Sequence, residues 1–154
     1  MPQFLSGSGP PLTKTLRLIK GFSVLHPNQF HVNEAWIVFK LNDAPIQTGS
    51  DGDFNFIAIM DAASCFILSS VPVQTSVAEP SRMDAKRLLK EGRAHKQRLP
   101  KTLFIPGDQT ANILAVEAER QGITVVHVPE HQLLPFVSDA REGFKQHFSG
   151  GSTQ

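Results

Sequence analysis

Residues 54–70 read FNFIAIMDAASCFILSS, two apolar runs separated by Asp61-Ala62-Ala63-Ser64, a tetrad suited to reversing the chain. With the apolar AWIVFKL at 35–41, this predicts a meander of three antiparallel strands at 35–41, 54–60 and 65–71. The first strand is apolar on both alternating faces except at Lys40, so it should be central and covered on both sides. Thr48-Gly49-Ser50-Asp51-Gly52-Asp53 supplies a plain loop of turn formers, and Pro72 should end the pairing because it brings no amide hydrogen to a ladder. Cys65, the single cysteine, falls inside the third run and reads as a small buried hydrophobe.

The second half alternates. Ser81 is a good N-cap for a helix over 82–97, whose apolar stripe is Met83, Leu88 and Leu89. A short strand at 101–105 leads through Pro106-Gly107-Asp108 into a helix marked by Ile113, Leu114, Val116 and Ala118 and closed by Gly122. Another strand follows at 123–128. The last element runs from 129 to 148, with Pro135 opening its main helix. Strand, helix and strand joined by short loops imply parallel neighbours. The expected architecture is therefore an α/β domain over 12–148 with a five-stranded mixed sheet and helices on its faces, between Gly, Ser and Pro rich tails at 1–11 and 149–154. The element at 12–33 is left open between a short strand and a turn of helix.

Composition excludes several classes. Forty per cent hydrophobic and 19% charged residues exclude global disorder, and 154 residues suffice for one core without disulfide or metal. The opening residues lack the charged and apolar regions of a signal peptide, and no apolar run approaches the ~18 residues of a membrane span, so a cytoplasmic protein is expected. Net charge is only +1, but seven Lys or Arg lie between Lys86 and Lys101 against Glu91 alone, a local +6 that leaves −5 elsewhere. Lys86, Arg87, Lys90, Arg93, Lys96 and Arg98 are the candidate contacts to phosphate or another anion. The competing reading is a solvated helix face, since this segment contains no aromatic residue for base stacking.

A meander of three strands followed by helix, strand, helix, strand and helix resembles the ribonuclease H-like fold, in particular transposase and integrase catalytic cores. Trp36 opening the first strand, the Asp61-x-x-Ser64 turn, Pro106-Gly107-Asp108-Gln109-Thr110 leading into a helix, and Glu142-Gly143-Phe144-Lys145 are similar to segments of those cores. The resemblance implies three carboxylates holding two Mg²⁺ or Mn²⁺ ions about 3.5–4 Å apart, which position a nucleophile against a phosphate. On this chain the second carboxylate would be Asp108 and the third Glu142, whereas the first position falls on Phe39. Asp43 and Asp61 are the acidic residues available to replace it, and Gln109-Thr110 stands where Asn-Gly is usual.

Other candidates have simpler roles. Asp108 is placed to cap the following helix, and Glu142 to be a solvated charge on an amphipathic helix. His127, Glu130 and His131 fall within five residues, but Val128-Pro129 between them prevents one helix face from presenting both imidazoles, so no metal is expected. The expectation is a non-catalytic binding or regulatory module without a cofactor, its partner a protein or a nucleic acid met by the helix at 82–97. Two alternatives stand beside it: a Mg²⁺-dependent nuclease or integrase-like phosphoryl transfer enzyme, and a purely structural protein–protein interaction domain.

Overall fold

Alternation along the first strand sorts the core into two layers. In β1 (Ala35–Lys40), Trp36 and Val38 point to one side of the sheet and Ala35, Ile37 and Phe39 to the other, all buried. The structure, a computed structural model, describes residues 25–50, 52–107 and 109–152. The expected tail at 1–11 and the apolar positions 16–24 lie outside the described residues, as do Asp51 and Asp108.

After β1 come β2 (Ile46–Thr48), β3 (Gly52–Asp61), β4 (Ile67–Gln74), α1 (Arg82–Lys96), β5 (Thr102–Pro106), α2 (Asn112–Arg120), β6 (Thr124–Val128), a 3-10 turn (Glu130–Leu133) and α3 (Leu134–Ser152). β3 is antiparallel to β1 and β4, and β1, β5 and β6 run parallel. Both β1 and β4 pair with Ile57–Met60, so they lie on opposite edges of β3. Phe54 faces Ile46 on one edge and Gln74 on the other, which places β2 on the same edge as β1. The result is a mixed α/β sheet of six strands, ordered β4-β3-β1-β5-β6 with β2 continuing the line of β1.

The sixth strand corrects the expectation of five. It forms because Asn42 stands in for backbone across the gap after β1: Leu41 N donates to Phe56 O at 2.8 Å, and Phe56 N donates to the Asn42 Oδ1 at 2.8 Å. Those two bonds also explain why Pro72 lies inside β4 rather than ending it. Phe56, its partner in register, spends its amide and carbonyl on the opposite edge, so a residue without N–H is tolerated there. Cys65 is not in a strand either; it sits at φ 60° in the turn, its amide donating to Asp61 O at 2.8 Å, and β4 begins only at Ile67.

α1 and α2 cover the Trp36 face, while α3 covers the other through Phe136 and Val137, packed with Phe39, Phe104 and Leu133. α1 follows the sequence reading: Ser81 Oγ accepts from Asp84 N at 3.1 Å, and Gln97 closes the helix at φ 69°. Its buried stripe is Ala85, Leu88, Leu89 and Gly92, however, and Met83 is 79% exposed, a correction to its assigned place in the core. Gly92 lets the helix rest on the Trp36 indole. In α2 the buried face is Leu114, Glu117 and Ala118, leaving Ile113 and Val116 outward. Pro135 occupies the second position of α3, where a missing N–H costs nothing, and that helix continues past 148 to Ser152. No helix among the described residues is long and apolar enough to cross a membrane.

Candidate functional site

The parallel strands β1, β5 and β6 all end at one pole of the sheet, the end at which α/β folds gather ligand groups. A polar cavity of about 290 Å³ opens there, lined by Lys40, Asn55, Thr75, Gln109, Thr110 and Glu130 among others. Phe39 lies at the same end of β1 but on the opposite face of the sheet from Lys40, with 1% of its surface exposed.

A guanidinium covers that ring. The Arg141 Cζ stands 6.0 Å from the Phe39 centroid, its Nε donates to Lys40 O at 2.9 Å, and its Nη2 donates to Glu130 Oε2 at 2.8 Å. The rigid fork of arginine suits this double anchorage, and the quadrupole of the ring adds a further attraction. Its side chain is only 16% exposed, so the positive charge is held rather than solvated.

Glu142 is the next residue, and one step along a helix turns a side chain by about 100°. Val137, Ala140, Arg141 and Phe144 face the sheet, whereas Glu142 is exposed and accepts from Gln146 Nε2 at 3.1 Å. Asp43 is exposed beyond the end of β1. Asp108 lies outside the described residues. The cap role expected of Asp108 therefore falls outside the described residues too; α2 opens at Asn112 after Ala111, and the amide of Ile113 donates to Glu79 Oε1 at 2.9 Å.

Asp61 sits at the other pole, in register with Trp36 and fully buried. Its Oδ1 accepts from Asn33 N at 2.6 Å, and its Oδ2 accepts from Ser64 N at 2.9 Å and Ser64 Oγ at 2.7 Å. The Asn33 Oδ1 in turn accepts from Trp36 Nε1 at 2.7 Å. The Asp61 carboxylate thus ties the β3–β4 turn to the entry of β1, roughly 10 Å along the strand from Phe39. Burial pushes the neighbouring Cys65 thiol up from its ordinary value, and the charges of Asp139 and Asp61 add to the rise. Among the described residues no group of three or more His, Cys, Asp or Glu converges as a metal site would require. Phe39 and the anchored Arg141 do not fit a two-cation centre.

The basic candidates occupy the outer side of α1 and the loop after it. Lys86, Arg87, Lys90, Arg93 and Arg98 are exposed, and Lys96 is half-buried. Arg87 pairs with Glu91 at 3.0 Å, a contact that raises the guanidinium pKa further. Sequence reasoning misses Phe66, which the apolar run at 65–71 puts inside a strand: it is 52% exposed and stands beside His95 and Lys96 at the end of α1. His95 follows Phe66 by 29 positions and belongs to α1, so it is the packing of that helix on β4 that brings the two rings together.

No family model matches this chain, and no curated protein does. Among solved structures it is similar to a chain of the simian T-cell lymphotropic virus intasome in complex with PP2A regulatory subunit B56 gamma, at 12% identity and a TM-score of 0.51, over 86% of this chain and 45% of that one. It also aligns with endonuclease V from Bacillus subtilis at 13% identity and a TM-score of 0.25, over 67% of this chain and 45% of the other. The chain therefore spans less than half the length of either.

Proposed function

We propose that this chain is a ribonuclease H-like domain acting as a non-catalytic binding or regulatory module, with the outer side of α1 as its contact surface. The order of meander, helix, strand, helix, strand and helix supports the fold, as does the likeness to the intasome chain. One observation carries the functional part: where the resemblance calls for a cation-bridging carboxylate, Phe39 presents a buried ring under the guanidinium of Arg141. A ring offers no oxygen to a divalent ion, and a positive charge fixed by Lys40 O and Glu130 repels one.

Titrating Mg²⁺ and Mn²⁺ while following the melting temperature tests this reading. A cation at about 100 times its dissociation constant would add ~2.7 kcal/mol of stability. No shift is expected up to millimolar metal, together with no cleavage of DNA or RNA. A clear rise in melting temperature, with metal-dependent cleavage lost in Asp108→Asn or Glu142→Gln, would restore the phosphoryl transfer alternative.

A further inference from the structure

At the pole opposite the Phe39–Arg141 pair, an exposed aromatic ring closes the end of a run of cations. The Phe66 ring meets His95 edge-on, with centroids 5.6 Å apart and planes at 66°, and Lys96 Nζ stands 5.9 Å from the Phe66 centroid. Next to it lies a depression of about 280 Å³ lined by Leu68, Ala94, His95 and Glu91. Lys86, Lys90 and Arg93 follow one another at spacings of four and three along α1, so they share one exposed stripe leading toward this ring. Arg98 follows in the loop after the helix, its backbone fixed by Asn33 Nδ2 donating to Arg98 O at 3.0 Å.

An aromatic residue more than half exposed, beside an apolar-floored depression and a line of cations, suits a ligand that alternates flat apolar faces with negative charges. We propose that Phe66 and His95 form a base-stacking subsite for single-stranded nucleic acid, whose phosphates run along Lys86, Lys90, Arg93, Lys96 and Arg98. A base laid on Phe66 would be flanked by the Lys96 ammonium, and the backbone would continue up the basic stripe. Duplex fits poorly because its bases present no free face to a ring, and an acidic peptide would use the cations but not the aromatic platform. The inference rests on the reading of the chain as a binding module and names the partner class of its contact surface.

The experiment measures binding of the full chain to fluorescently labelled oligothymidylate and oligouridylate of about 12 nucleotides, to duplex of the same length, and to polyglutamate. Single strands should bind in preference to duplex and polyglutamate, with the DNA and RNA arms showing which sugar is favoured. With about four phosphates neutralised, affinity should fall roughly 50-fold between about 50 and 200 mM salt. Phe66→Ala should weaken binding about 5- to 150-fold with little change in that salt slope, and Phe66→Leu should not restore it. Lys90→Gln with Arg93→Gln should flatten the slope. Absent binding, or affinity unchanged in Phe66→Ala, overturns the stacking site; duplex bound as tightly as single strands overturns it as well, and equal affinity for polyglutamate points to an acidic protein partner instead. A metal-induced rise in melting temperature would overturn the non-catalytic reading and leave this site standing, so the two failures are separable.

Discussion

Gly92 of α1 is in direct contact with the indole of Trp36: a β-carbon added there would lie 2.8 Å from Trp36 Cη2 and 2.9 Å from Cζ3. The indole is fully buried and its Nε1 is fixed by Asn33, so it cannot swing aside. Gly92→Ala should therefore destabilise the fold by about 1–3 kcal/mol through overpacking, although alanine is the better helix former by about 1 kcal/mol. Urea denaturation followed by tryptophan fluorescence checks this, and a stabilised variant would mean that the helix sits further from the sheet.

The Phe39 ring fills the α3 side of the core. Phe39→Ala should cost about 3–5 kcal/mol, since it removes a large buried side chain and leaves Arg141 over a cavity. Arg141→Met, which keeps bulk but loses the fork, should cost about 1–3 kcal/mol because Lys40 O loses its donor and Glu130 its cation. Both losses are readable as shifts in the urea midpoint.

Removing the carboxylate of Asp61 takes away three hydrogen bonds at once and leaves the Asn33 and Ser64 donors without their acceptor. Asp61→Ala is expected to cost at least about 2 kcal/mol, and amide exchange at Asn33 and Ser64 should accelerate. Trp36→Phe, which orphans only Asn33 Oδ1, should cost less.

The Cys65 thiol is raised by burial first and then by Asp139 and Asp61, so its folded pKa lies above the ordinary value of 9.0. Both states carry the neutral thiol below that value, and any stabilisation from it is fully present there. Above it the unfolded chain loses its proton first, so this contribution declines as pH rises through the folded pKa. Thiolate absorbance titrated in folded and urea-unfolded protein should show the folded transition at the higher pH, and Cys65→Ser should lose less stability than the parent on going above pH 9.0.

Much of the fold was legible because local signals agreed with each other. The buried run at 35–40, the Ser81 cap and the strand–helix–strand spacing after Lys101 each specify one element and need no distant partner. What escaped was tertiary. β2 forms only because Asn42 bridges to β3, and Cys65 leaves its strand because Asp61 draws Ser64 into the turn. Arg141 and Glu142 are adjacent polar residues on one helix, and the sequence does not say which faces the sheet; the register of α3 settles it in favour of the arginine.

Pro72 carries a last consequence. Because its partner Phe56 bonds away from β4, the ring nitrogen of Pro72 faces the outer margin of that strand. A further strand laid along this margin would find a donor missing midway, with a bulky ring in its place. Strand-by-strand growth from one copy onto the next is thereby interrupted by a single imino acid, which protects a sheet built from such apolar runs against fibre formation.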